Sequence, residues 1–328
     1  MLKIVFMGTP DFAQESLKQI YEAGHKVVGV VTNVDKPKGR GMKMIASPVK
    51  EFALNNNLQV FQPIKVRNNK EFIEKIKVLN PDVICVVAYG KILPKELLDI
   101  PKFGCINVHG SLLPKYRGAA PIQWAVINGD TTTGITTMYM DAGMDTGDII
   151  LKETVEIGKD ETTGELWERL SKIGGKLLVK TLDLIEEGKA PREKQGEEYT
   201  LAPMLDKEMS KIDWENKSIE EIKNLVRGLN PIMGTYSFLD GKKIKFWKVD
   251  VLKKQELLDV FPELNEYEYK MKNVIPGTVL FSDPKDGLYI KGKDGIIQVL
   301  ELQAENARKM PVSDFLRGNE ITAGSVFE

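Results

Sequence analysis

This chain holds little cysteine, little histidine and almost no net charge. Among its 328 residues are two cysteines, Cys85 and Cys105, each inside a strand-like apolar run. That usage argues against a disulfide framework and fits buried, reduced thiols. Lys and Arg number 46 against 47 Asp and Glu, a formal net charge of −1. Global charge therefore gives no argument for a nucleic-acid partner, and any such case must rest on local patches. No apolar run approaches the ~20 residues of a membrane-spanning helix. Met1-Leu2-Lys3-Ile4-Val5-Phe6 enters a strand-like run at once, without the long apolar region and cleavage site of a signal peptide. A cytoplasmic protein with no membrane partner is expected. The first turn after a strand, Met7-Gly8-Thr9-Pro10-Asp11-Phe12, lacks the second and third Gly of G-x-G-x-x-G, which disfavours a dinucleotide-binding dehydrogenase. Internal repeats and low-complexity tracts are absent as well.

What is present suggests two domains. Over the first two hundred residues strand and helix alternate: strands at 4–7, 26–31, 58–61, 83–88 and 106–109, helices at 11–23, 69–78, 121–128 and 166–187. Such alternation predicts an α/β fold with a doubly wound, mostly parallel sheet. The run at 133–140 alternates more like an antiparallel edge. Near residue 190 the character changes: Ala190 to Glu198 is polar and uncommitted and marks a linker. A helix at 218–229 and five short strands (235–239, 243–251, 277–281, 287–291, 295–302) then suggest a small β-barrel. The expected division is 1–189, a linker at 190–208, and 209–328.

The chemistry is densest in Cys105-Ile106-Asn107-Val108-His109-Gly110-Ser111-Leu112-Leu113-Pro114. A strand delivers an amide, an imidazole and a hydroxyl to a Gly-containing turn. Asn107 and His109 are two apart, so their side chains leave one face at the strand's carboxyl end, where an open parallel sheet binds its ligands. An amide beside a titratable ring suits acyl-type chemistry, with one donor for a developing oxyanion and one proton carrier. Cys105 shares that face unless the strand is bulged, and is expected to pack in the core. The other histidine, His25, falls between a helix and a strand and is expected to be an exposed turn residue. Asp141-Ala142-Gly143-Met144-Asp145-Thr146-Gly147-Asp148 carries three acids in eight residues. Its spacing does not match a calcium loop, and no His or Cys stands nearby for zinc, so no metal is expected. A loop handing one carboxylate into the crevice would raise the pKa of an adjacent imidazole and fix its tautomer.

Two local basic elements stand out. The loop Asp35 to Met44 sets Lys36, Lys38, Arg40 and Lys43 against one acid, as a clamp on a polyanion would. Lys242, Lys243, Lys245, Lys248, Lys253 and Lys254 accompany Phe246 and Trp247 on the second domain, where basic and aromatic residues together suit an oligonucleotide-binding surface.

Taken together, Met7 to Phe12, the Gly39-Arg40-Gly41 loop, Val86-Val87-Ala88-Tyr89-Gly90, Asn107 to Pro114, Arg117-Gly118-Ala119-Ala120-Pro121-Ile122-Gln123 and Met144 to Asp148 resemble the methionyl-tRNA formyltransferase family along nearly the whole chain. Asn-x-His-x-Ser-x-Leu-Pro alone would mark the wider folate-dependent formyltransferases. The resemblance implies formyl transfer from 10-formyltetrahydrofolate to the methionine α-amino group of initiator methionyl-tRNA, with no metal. It implies catalytic roles for Asn107, His109 and Asp145. Folate contacts are implied at Ser111, Leu112, Leu113 and Pro114, with Val87 and Tyr89, and tRNA contacts at Arg40 with Lys38 and Lys43. The second domain is implied to be an oligonucleotide-binding-like barrel, with Lys242, Lys243 and Lys245 facing RNA. A monomer is expected. The acidic stretch Gln255 to Tyr269 is longer than the family pattern. Siblings acting on a UDP-amino sugar, on glycinamide ribonucleotide or on water share the catalytic signature. A non-catalytic tRNA-binding protein of the same fold is the alternative from another class.

Overall fold

The structure, a computed structural model, describes residues 1–38, 43–252 and 274–328. The chain divides into two compact units. One comprises Met1–Ile122, Thr132–Ile157 and Glu165–Met204; the other comprises Gln123–Thr131, Gly158–Gly164 and Leu205–Glu328.

The first unit opens with β1 (Lys3–Gly8), α1 (Asp11–Glu22), β2 (Lys26–Val31), the short pair β3 (Lys36–Lys38) and β4 (Lys43–Ile45), and α2 (Pro48–Asn55). It continues with β5 (Val60–Phe61), α3 (Lys70–Leu79), β6 (Val83–Val87), α4 (Lys95–Leu98), β7 (Cys105–His109), β8 (Arg117–Gly118) and α5 (Pro121–Ile127), whose later residues join the second unit. β9 (Thr132–Tyr139), β10 (Ile149–Glu156), the long helix α6 (Thr163–Glu186) and β11 (Leu201–Ala202) follow. The central strands are continuous apolar runs because both faces are covered: every residue of β6 is buried, and in β1 all but the first. α1 turns Phe12, Ala13, Leu17 and Ile20 inward, the one-sided stripe of a helix lying on a sheet.

The seven-stranded sheet runs β10-β9-β7-β6-β1-β2-β5. From β1 the chain first winds outward through β2 to β5, then returns to lay β6 and β7 on the other side of β1. This reversal makes a switch point between β1 and β6, where crevices form at the carboxyl ends of strands. Gly8 stands at that end; a Cβ there would come 2.8 Å from the Val87 carbonyl oxygen, so only glycine lets the two strand ends approach this closely. β9 is antiparallel to β7, as its alternation predicts, but it is not the edge: β10 pairs antiparallel outside it.

Three further expectations are corrected. His25 is buried, 8% exposed, with its Nε2 3.8 Å from a carboxylate oxygen of Asp183 on α6; that long helix covers the α1–β2 connection. Residues 190–208 are in part built into the first unit. Glu193 bridges to Ile149, and β11 pairs with β8. Several elements, among them the eight-residue α2 and β10, lie where the alternation showed none.

The second unit is antiparallel. α7 (Ile219–Gly228) starts with a reciprocal cap: the Glu221 N–H donates to the Ser218 hydroxyl at 3.2 Å, and the Ser218 N–H donates to the Glu221 carboxylate at 2.8 Å. The strands β12 (Thr235–Leu239), β13 (Lys242–Leu252), β14 (Val279–Asp283), β15 (Gly287–Lys291) and β16 (Ile296–Ala304) pair in the order β12-β13-β16-β15-β14, with β17 (Met310–Pro311) beside β16 and a last short helix, α8 (Val312–Leu316). Residues 325–328 join the two ends. Phe327 bridges Leu239 of β12, and Val326 bridges Thr278 just before β14, so the sheet closes on itself as a barrel and leaves no open edge there. Trp214, Phe246 and Phe327 fill its centre edge to face or tilted, with centroids 5.3 to 6.2 Å apart. The Trp214 indole N–H donates to the Ser237 hydroxyl at 2.9 Å, which satisfies the one polar atom the ring buries.

Candidate active site

β7 is held on both sides. Asn107 lies opposite Val86 of the parallel neighbour β6 and opposite Met138 of the antiparallel neighbour β9, and His109 lies opposite Thr136. No bulge interrupts β7 in either ladder, so the two-residue spacing puts Asn107, His109 and Cys105 on one face. Cys105 sits deepest and packs with Val5, Met7, Ile84 and Tyr89. Burial pushes its thiol up to about 12 and the Cys85 thiol higher still. Both are free and unreactive.

The Asn107 amide is part-exposed and makes no hydrogen bond among the described residues. The His109 side chain is 6% exposed; its Nε2 stands 2.9 Å from the Tyr116 carbonyl oxygen and its Nδ1 3.7 Å from Asp145 Oδ2. A carbonyl only accepts, so Nε2 carries the proton and the neutral ring presents its lone pair at Nδ1, toward the carboxylate. The tautomer is therefore set by Tyr116, not by Asp145 as expected from the sequence. The turn after β7 is braced by the buried Thr136 hydroxyl, which accepts from the Leu113 N–H at 3.1 Å and donates to the Ser111 carbonyl at 2.7 Å. The Ser111 hydroxyl donates to the Lys115 carbonyl at 2.6 Å.

Asp145 sits with φ of 55° in the loop between β9 and β10, a left-handed conformation that an Asp tolerates. Its carboxylate accepts the Gly118 N–H at 2.8 Å. Gly118 has φ of 130°, and a Cβ there would come 2.5 Å from the Ala202 carbonyl oxygen. It is glycine because β11 passes that close. Gln195 completes the arrangement: its amide nitrogen donates to the carbonyls of Asp145 and Gly147, both at 2.8 Å, while its oxygen accepts Nε and an NH2 of Arg117 at 3.0 and 2.7 Å. Tyr116, Arg117, Gly118 and Gln195 were absent from the residues expected to act at the site. Arg117-Gly118 was visible only within the motif that carries the resemblance; nothing periodic marks Gln195.

The residues expected to face the donor divide. Leu112 and Pro114 are part-exposed, whereas Ser111, Leu113, Val87 and Tyr89 are buried, Val87 fully and Tyr89 at 1%. Burial pushes the Tyr89 hydroxyl up to about 12.

The basic residues also divide. Arg40 lies outside the described residues, as do Lys253, Lys254 and the stretch from Gln255 to Tyr269, and nothing is described of the Lys38 and Lys43 side chains. On the barrel, Lys242 is exposed. The Lys243 ammonium sits 3.5 Å from the centroid of Tyr236. Lys245 is committed inward, donating to the Met233 carbonyl at 2.8 Å, and burial with the neighbouring Lys243 lowers its pKa. Among the described residues no group of His, Cys, Asp and Glu could hold a metal ion, and no helix is long and apolar enough to cross a membrane.

Residues 2–182 match the family described as formyl transferase, and residues 204–320 match the family described as formyl transferase, C-terminal domain. The methionyl-tRNA formyltransferase of Clostridioides difficile strain 630 is 50% identical over 326 residues, covering 99% of each chain. That of Caldanaerobacter subterraneus subsp. tengcongensis is 48% identical over 328 residues, covering 100% of each. Among solved structures, the N-formyltransferase from Helicobacter canadensis in complex with folinic acid and dTDP-3-aminofucose superposes with a TM-score of 0.62. It is 22% identical, over 93% of this chain and 100% of that one. HypX from Aquifex aeolicus in complex with tetrahydrofolic acid gives 0.61 at 15% identity, over 100% of this chain and 51% of that one. These two likenesses show the fold alone.

Proposed function

From a chain that belongs to the formyl transferase family, we propose transfer of the formyl group of 10-formyltetrahydrofolate to the α-amino group of methionine on initiator methionyl-tRNA. The observation that carries it is identity near one half, over full length and through both matched regions, to proteins of that name. Sugar formyltransferases share the fold at less than half that identity.

The residues present fit the donor. The Asn107 amide is part-exposed and makes no hydrogen bond among the described residues, on the face of β7 that also carries His109. The donor brings a formyl carbonyl whose oxygen gains negative charge as the amine attacks. Asn107 donates a hydrogen bond to that oxygen; a donor of this kind is worth about 3–4 kcal/mol of barrier. The amine attacks in its neutral form, and the proton it gives up is held by His109 Nδ1 facing Asp145, then returned to the departing nitrogen. Gly118 keeps the Asp145 carboxylate turned toward the ring through its N–H. In this reading residues 1–189 carry the chemistry and 209–328 meet the RNA, Arg40 grips the acceptor end, and Lys242 and Lys243 add contacts farther along. The protein works as a cytoplasmic monomer.

The test offers charged initiator tRNA, a dTDP- or UDP-amino sugar, glycinamide ribonucleotide and water as competing acceptors for the donor. Formylated methionyl-tRNA as the main product is expected. Turnover that ignores tRNA would overturn the assignment and move the chain to a sibling activity.

A further inference from the structure

We propose that Gln195 is a positioning residue for this reaction, holding the Asp145 loop against His109 from a segment that looks like a connector in the sequence. The inference rests on Asp145 being part of the reacting pair.

The Gln195 amide is fully used. Both hydrogens go to the carbonyls of Asp145 and Gly147, and its oxygen takes two donors from the Arg117 guanidinium. Arg117 is 9% exposed, with its guanidinium 4.6 Å from the centre of the Tyr199 ring. Stacking and the two-pronged donation leave the guanidinium, and so the amide it orients, little room to turn. No other side chain supplies this pattern at this length. Glu would set an acceptor against two carbonyls and place a second negative charge beside Asp145; Asn would be a methylene short.

The same stretch of main chain serves both members of the pair. The Tyr116 carbonyl accepts a hydrogen bond from His109 Nε2–H, Arg117 holds Gln195, and Gly118 donates to the Asp145 carboxylate. Residues 116–118 are themselves tied to the Gln195 segment: the Tyr116 N–H donates to the Thr200 hydroxyl, the Arg117 N–H to the Thr200 carbonyl, and β8 runs beside β11. Gln195 and Thr200 thus fasten the imidazole support and the carboxylate support to each other. The 3.7 Å between Nδ1 and Oδ2 is set by this fastening, since no hydrogen bond joins the two directly.

The experiment compares full-length Gln195→Ala, Asp145→Asn and the double variant in formyl transfer to charged initiator tRNA. Gln195→Ala is expected to lower kcat roughly 100-fold, the scale of a misplacement near 1 Å. KM for donor and tRNA should change by no more than about twofold. In the Asp145→Asn background the same change should cost nothing further, because the carboxylate that Gln195 holds in place is gone. Losses that multiply in the double variant, or a raised KM with kcat intact, would overturn the inference. Asp145→Asn at full rate would instead remove Asp145 from the reacting pair, and the inference with it. If Gln195→Ala does not fold, as read by circular dichroism, Gln195→Met keeps the side-chain volume while removing all four hydrogen bonds and carries the same expectations.

Discussion

His109 donates a hydrogen bond from its Nε2–H to the main-chain oxygen of Tyr116, 2.9 Å away. Because a peptide carbonyl cannot donate, this contact decides where the ring is basic. Nitrogen NMR of labelled protein with the ring neutral should show a protonated Nε2 and a bare Nδ1. A proton on Nδ1 in the neutral ring would contradict the proposed direction of proton transfer.

Asn107 is the group whose removal should harm chemistry and little else. Its amide makes no hydrogen bond among the described residues, so Asn107→Ala strips no protein partner. The expected loss is 100- to 1,000-fold in kcat, about 3–4 kcal/mol, with the melting temperature within a degree or two. A variant that melts early but turns over normally would show the amide to be a packing group.

Gly118 and Gly24 make a matched pair. Both have positive φ, 130° and 83°, but a Cβ at Gly118 meets Ala202 whereas one at Gly24 meets nothing within 4 Å. Gly24→Ala should cost about 1 kcal/mol of stability and leave turnover alone. Gly118→Ala should push β8 from β11, withdraw the N–H from Asp145, and lower both melting temperature and kcat. Equal activity in the two variants would sink this account.

Burial holds His25 below its ordinary pKa, against the raising influence of Asp183 and with a lowering one from the Met1 amino group. The unfolded chain takes up this proton near pH 6.5 while the folded chain does so only at lower pH. Stability is therefore full above about pH 6.5 and declines as the pH falls through the window between the two values. His25→Gln should flatten urea-unfolding free energies between pH 7.5 and pH 5 relative to the parent. Parallel curves would mean the ring is not buried in solution.

Arg40 is proposed at the acceptor end of the RNA, and charge reversal there should be felt only by the RNA. Arg40→Glu is expected to raise KM for tRNA at least tenfold, with a shallower dependence of binding on salt, while tetrahydrofolate binding holds. Loss of both together would make the loop structural.

The parts of the fold legible in the sequence are those whose residues announce their own surroundings. β6 is an unbroken apolar run and β1 is one after Lys3, and in β7 Asn107 and His109 fall on one face by alternation alone. β10 was illegible because its exposed middle, Lys152-Glu153-Thr154, hides a strand that is apolar only at its ends. α2 carries its signal in the Ser47 cap and Pro48 rather than in periodicity. His25 reads as a turn residue because nothing nearby reveals that Asp183, far along the chain, covers it. The hardest case is Gln195. Its partners Arg117 and Asp145 lie 78 and 50 residues away, and a polar segment held by side-chain hydrogen bonds has no pattern to betray it. Val87 and Tyr89 show the converse: residues named by resemblance whose side chains the fold buries.

The closure of the barrel by residues 325–328 bears on how the second unit folds. Ser237 and Glu328, joined by a hydrogen bond of 2.7 Å, are 91 residues apart, so the final seam shuts a loop that spans most of that unit. Closing it costs chain entropy that no local contact repays in advance, and domains built from such distant pairings fold in milliseconds to seconds rather than microseconds. Until the seam forms, both β12 and the start of β14 offer bare edges to other chains. Deleting residues 325–328 would leave a molecule with its first unit intact and its second slow to form and quick to aggregate.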